Sequence, residues 1–175
     1  MTYRPACLLA TLALAACASR PPEPPTVPQE LRPSASAVLT LMTRATGVQI
    51  YTCAAAKDNP AHYAWAFTAP EAELFDAAGK KIGTHYAGPT WEADDGSKVV
   101  GAVAARSDAP DSGAIPWLLL VGQAEPQEGR LARTSHIQRL STVGGKAPAD
   151  GCDAARVGQV RRIPYEAAYY FYRQG

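Results

Sequence analysis

Residues 73–97 read ELFDAAGKKIGTHYAGPTWEADDGS, and the punctuation of this stretch decides the fold class. Short runs at 73–75, 81–86 and 90–93 are separated by turn formers, with no apolar stripe at the 3.6-residue spacing of a helix. Asp76-Ala77-Ala78-Gly79 reads as a hairpin turn in which Gly79 supplies the positive φ that closes it. Asp94-Asp95-Gly96 reads as a second hairpin turn, with the favoured Asp-Gly pair.

The same pattern extends in both directions. Upstream, residues 47–53 form a strand with Val48, Ile50 and Thr52 on one face, and residues 63–68 form another. Downstream, strands are expected at 97–105, 115–122, 131–141 and 161–172. Trp117-Leu118-Leu119-Leu120-Val121 is apolar on both faces, as a strand covered on each side must be, with Pro116 at its entrance. The last strand sets Ile163, Tyr165, Ala167, Tyr169 and Phe171 on one face, opposite Arg162, Glu166, Tyr170 and Tyr172. Part of residues 30–42 is the one helical expectation, opposed by Pro33 and the approach of Gly47. The fold expected is all-β, first a β-sandwich of short, mostly antiparallel strands and alternatively a closed β-barrel.

The N-terminus carries an address. Residues 1–16 combine Arg4 with a short weakly polar-to-apolar run, too short to span a bilayer, and read as a signal peptide. The ending Leu14-Ala15-Ala16-Cys17 resembles the lipobox of bacterial lipoproteins, which implies a diacylglycerol, and in the mature protein palmitate-type acylation, on Cys17. The expected location is extracytoplasmic and anchored through lipid. Ala18 in place of Asp resembles the arrangement that sends lipoproteins to the periplasmic face of the outer membrane. Residues 17–37 are then a tether, broken by Pro21, Pro22, Pro24, Pro25, Pro28 and Pro33, and residues 38–175 a single β domain. Twenty residues of polyproline conformation reach roughly 60 Å at about 3.1 Å each.

Of the four cysteines, Cys7 leaves with the signal and Cys17 takes lipid, so Cys53 and Cys152 are left to pair in an oxidising compartment. Removal of residues 1–16 lowers Lys+Arg from 17 to 16 against 16 Asp+Glu, a nearly neutral chain without a basic block. That charge pattern excludes the footprint of a nucleic-acid binder.

Several segments together resemble the bacterial and fungal domain-of-unknown-function family DUF 3455. They are Gly47-Val48-Gln49-Ile50-Tyr51-Thr52-Cys53, Gly83-Thr84-His85-Tyr86-Ala87-Gly88-Pro89-Thr90-Trp91, Ile115-Pro116-Trp117-Leu118-Leu119, Ile137-Gln138-Arg139-Leu140, Thr142-Val143-Gly144-Gly145 and Pro164-Tyr165. The resemblance implies a secreted or envelope protein without an established activity. A malate dehydrogenase label borne by some fungal relatives is not transferable, because this chain lacks a Gly-x-Gly-x-x-Gly after a strand and any βαβ alternation.

The candidate chemistry is sparse. Counting from an inward Ile82, His85 falls on the opposite side of its strand, near Trp91, Asp94 and Asp95, where a carboxylate would orient it as a general base or an aromatic would floor a pocket. The blander role is a loop hydrogen bond for His85 and turn formation for the two acids. Gln138 and Arg139 beside Gly144-Gly145 offer a bidentate hold on an anion, and the tyrosines with Trp65, Trp91 and Trp117 offer stacking surfaces. Ser97 does not sit in a nucleophile elbow. His62, His85 and His136 lie on separate segments, so no metal and no cofactor is expected. The function expected is a non-catalytic module for a small ligand or envelope component, with His85, Trp91, Asp95, Gln138 and Arg139 as its residues. The alternatives are a small hydrolase using His85 with Asp94 or Asp95, and a scaffold without ligand.

Overall fold

The computed structural model describes Glu23 and residues 25–175. The signal peptide, Cys17 and the first part of the tether lie outside the described residues. Eight strands follow in order: β1 (Ala37–Ala55), β2 (Tyr63–Phe75), β3 (Lys81–Tyr86), β4 (Thr90–Ala93), β5 (Lys98–Ser107), β6 (Trp117–Ala124), β7 (Thr134–Gly144) and β8 (Val160–Gln174). Each pairs antiparallel with its neighbour in the chain, and β1 also pairs with β8 from Ala37↔Gln174 to Thr52↔Val160.

The all-β expectation holds, and of its two arrangements the molecule adopts the closed barrel: one sheet wraps round on itself instead of splitting into two. An extra residue in β1, Thr40, opposite β8 and one in β2, Thr68, opposite β1 are bulges that bend their own strands as the sheet curves. Closure leaves β1 and β8 without free edges where they pair.

The two hairpin turns form as read, with Gly79 and Gly96 at φ of 80° and 84°. Residues 30–42 contain not the expected helix but a 3-10 turn, Gln29–Leu31, and then strand, because the β-branched and leucine run from Val38 finds β8 as a partner. Residues 63–68 and 73–75 belong to a single strand, β2, which passes through Pro70. Pro70 pairs with Gln49 of β1, and the β3 ladder begins beyond it at Ala72, so its missing N–H is not required.

Three clusters hold the molecule. Inside the barrel pack Leu74, Ile82, Trp91, Val99, Leu120, Ile137, Tyr169 and Phe171. Outside it, Val27 and Leu31 cover Leu119 and Leu140, with Trp117 and Tyr170 alongside. The tether therefore ends earlier than Ala37, and its last part is a strap on the barrel wall. The strap explains why β6 is apolar on both faces: Leu120 points in, and Leu119 lies beneath the strap. Gln138 fastens it, donating from Nε2 to Leu31 O at 2.7 Å while its Oε1 accepts from the Tyr172 hydroxyl at 2.7 Å. Tyr172, on the strand face opposite Tyr169 and Phe171, is thereby buried. The third cluster gathers Tyr51, Cys53 and Trp65 at the upper end, where Cys53 and Cys152 form the expected disulfide.

Candidate functional site

The short strands create an opening. β3 and β4 have six and four residues, between a β2 of thirteen and a β5 of ten. The β2–β3 ladder stops at Ala72↔His85 and the β4–β5 ladder at Thr90↔Val100, with one further bond from Gly101 N to Pro89 O. Above these points, among the described residues, β2 and β5 are each paired on one side only, and the wall has a window. Phe67 and Val103 line the cavity behind it yet are 56% and 57% exposed, so the upper interior is open to solvent.

This cavity measures about 250 Å³ and is lined by His85, Trp91, Arg139, Tyr169, Leu118 and Phe67, among others. A larger hollow of about 360 Å³ around Arg44, Phe75 and Glu166 mixes exposed polar side chains with alanines and Phe75. Gly101 makes room for the cavity's floor: a Cβ there would lie 2.9 Å from Cζ3 of Trp91.

His85 is buried and faces inward, against the strict alternation counted from Ile82. The ladder jumps from Leu74↔Gly83 to Phe75↔Lys81, so Ile82 is an extra residue that resets the parity of β3. The ring stacks on Trp91 at 4.3 Å between centroids and 12° between planes, and meets Tyr169 edge-on at 5.2 Å. Its Nδ1 lies 2.8 Å from Thr90 O. A carbonyl only accepts, so Nδ1 carries the proton and, in the neutral ring, Nε2 holds a lone pair. Burial pushes the imidazole pKa down to about 3; the Thr90 bond works against this, and the charge of Arg139 adds to it. His85 is neutral at physiological pH.

Arg139 also faces inward, on the same side of β7 as Ile137. Its Nε and Nη2 donate to Pro116 O at 3.2 and 2.8 Å, and among the described residues no carboxylate lies within ion-pair distance of it. Around it the upper interior is polar. Tyr51 donates to Gly145 O at 2.7 Å, the Tyr165 and Tyr169 hydroxyls lie 3.4 Å apart, and Gln49 is buried with its Nε2 unpartnered. Burial raises the pKa values of Tyr51, Tyr165 and Tyr169, and the charge of Arg139 opposes the rise in each.

The other candidates lie elsewhere. Asp94 and Asp95 occupy the β4–β5 turn at the opposite end of the barrel, three residues or roughly 10 Å of strand below Trp91. There Asp95 accepts from Ser97 N at 2.9 Å, Ser97 Oγ at 2.6 Å and Arg130 N at 2.8 Å, and these bonds, from Ser97 first, hold its pKa below the usual carboxylate value. Arg130 Nε donates to Asp94 at 3.1 Å. The acids therefore close the lower end and do not orient His85, which removes the geometry the hydrolase alternative requires. Gln138 points out of the barrel to the strap, because adjacent strand residues face opposite ways. His85, Trp91 and Arg139 converge; Asp94, Asp95 and Gln138 do not.

Gln49 and Tyr51, not anticipated from the sequence, are buried on the inner face of β1. The face of β1 carrying Val48, Ile50 and Thr52 is the outer one, and the polar face is turned inward. A polar residue alternating with Tyr51 and Cys53 was the available signal, obscured by the β-branched face between them.

Fold and site define a class: an eight-stranded antiparallel β-barrel with an apolar lower core and a polar mouth open through its side. The chain matches, over residues 33–173, the family described as "Protein of unknown function (DUF3455)", and it belongs to that family, as the quoted segments had implied. No curated protein and no solved structure matches it.

Proposed function

We propose that this protein is a non-catalytic envelope module that holds a small organic anion in the mouth of its barrel. Arg139 carries the reading. A guanidinium turned into a cavity without a carboxylate partner is costly to maintain, and a bidentate carboxylate from a ligand is the group that best satisfies it. The apolar walls supplied by Leu118, Phe67 and Trp91 suit the body of such a ligand. His85, neutral and without a carboxylate to orient it, is a weak base, which favours binding over catalysis.

Isothermal titration of the purified protein with small aromatic and aliphatic carboxylates tests this. Binding is expected in the wild type, and Arg139→Gln is expected to weaken it about ten- to hundredfold, as loss of a charge-assisted bond implies. Absence of any carboxylate binding to folded wild-type protein overturns the reading and leaves the scaffold alternative.

Export and acylation at Cys17 belong to the same proposal and rest on the Leu14-Ala15-Ala16-Cys17 ending. Mass spectrometry of membrane-extracted native protein is expected to find the N-terminal peptide beginning at an acylated Cys17; a bare thiol there removes the anchor.

A further inference from the structure

We propose that the ligand is a compact apolar hydroxy acid, its anionic group held by Arg139 and a hydroxyl donating to Nε2 of His85. This rests on the anion-binding reading and adds a second recognition element to it.

The cavity leaves specific polar atoms unsatisfied. Arg139 gives one N–H each of Nε and Nη2 to Pro116 O, which orients the guanidinium, and, beside the Tyr169 hydroxyl, keeps N–H groups on Nη1 and Nη2 for another partner. His85 spends Nδ1 on Thr90 O, and its ring is fixed by the stack on Trp91 and the edge contact with Tyr169. The remaining polar atom of the imidazole is an acceptor and cannot become a donor without protonating a buried ring beside a fixed positive charge. The lining therefore presents the cationic donor Arg139, the unpartnered Nε1 of Trp91 and one neutral acceptor, Nε2 of His85, on otherwise largely apolar walls.

Each alternative ligand class meets an obstacle there. A second anionic group would face the Nε2 lone pair, so dicarboxylates are disfavoured. An amine answers His85 but is repelled by Arg139. A plain carboxylate satisfies Arg139 and leaves Nε2 desolvated without a donor, which is the situation that lets a site discriminate by a single hydroxyl. Size narrows the class further. A cavity of about 150 Å³ takes a benzene ring, and this one, at about 250 Å³, has room for one ring and a few substituents.

Benzoate, 3- and 4-hydroxybenzoate, and their methoxy ethers are the probes, titrated calorimetrically into the purified protein at neutral pH. At least one hydroxybenzoate is expected to bind about tenfold more tightly than both benzoate and its own ether, which keeps the oxygen but cannot donate. In His85→Phe, which retains an aromatic ring over Trp91, the ratio of hydroxybenzoate to benzoate affinity is expected to fall to about one. If that variant fails to fold, the comparison of hydroxyl with ether on the wild type decides alone. Equal affinities for benzoate, hydroxybenzoates and ethers overturn the hydroxyl contact while anion binding stands. If none of these carboxylates binds, the hydroxy-acid reading falls, and anion binding falls with it when aliphatic carboxylates fail to bind as well.

Discussion

His85 shows how surroundings disarm a titratable side chain. Free imidazole accepts a proton near pH 6.5, whereas the buried ring, stacked on Trp91, in edge contact with Tyr169 and under the charge of Arg139, does so only at about 3. Between these values the unfolded chain binds a proton that the folded chain refuses, so stability rises with pH across the window and is lost as pH falls from about 6.5 towards 3. At pH 4 the loss attributable to this residue is of order 3 kcal/mol relative to pH 7. Urea denaturation of wild type and His85→Gln at both pH values checks it. The variant, which keeps a donor for Thr90 O without titrating, is expected to lose less stability on acidification, and equal losses would show that His85 is not the acid-sensitive group. The sequence exposed this residue's chemistry but not its direction. One extra residue at Ile82 inverts the face on which His85 lies, and bulges have no reliable local signature. Arg139 and Gln138 were legible as a polar pair, and simple alternation separates them into cavity and strap.

At the scale of elements, the strands were legible because turn chemistry is local: Gly79 and Gly96 take the positive φ their turns require. What was not legible is which partner covers an apolar face. The run from Trp117 to Val121 announces cover on both sides, but the covering segment, Val27 to Leu31, lies almost ninety residues away among prolines that read as a spacer. Leu31 is fully buried there, and its backbone carbonyl takes the Gln138 amide. Leu31→Ala removes most of that contact and is expected to destabilise the protein by about 2–5 kcal/mol, the range for a leucine deleted from a packed site. The thermal midpoint should then fall by several degrees, at about 2–4 °C per kcal/mol for a chain of this size. Chemical denaturation measures the difference directly. A change below about 0.5 kcal/mol would mean that the strap is not part of the cooperative unit.

For the whole molecule, sandwich and barrel present the same alternation along every strand, so the choice between them rests on whether the first strand meets the last. Here the two longest strands, β1 and β8, do so over most of their length. Closure brings inward-facing polar groups from β1, β3, β7 and β8 into one mouth, a convergence no single segment contains. The upper end is tied as well as closed: Cys53 at the top of β1 is bonded to Cys152 in the β7–β8 connection, across 99 residues of chain. Trp65 donates to Asp150 O at 2.8 Å in the same connection, and Arg161 stacks over the Trp65 ring. Cross-linking a loop of about 100 residues restricts the unfolded chain by up to about 4.7 kcal/mol in the entropic account. The Cys53→Ser, Cys152→Ser double variant is therefore expected to be about 2–5 kcal/mol less stable, and added reductant should lower the midpoint of the wild type while leaving the variant unchanged. Because Arg139 is oriented by Pro116 and His85 by Thr90, neither of which lies in the cross-linked connection, the folded variant should keep its carboxylate affinity within about threefold. Loss of binding in a still-folded variant would place the β7–β8 connection within the site, and an unchanged midpoint on reduction would mean that the two thiols are not joined in the isolated protein.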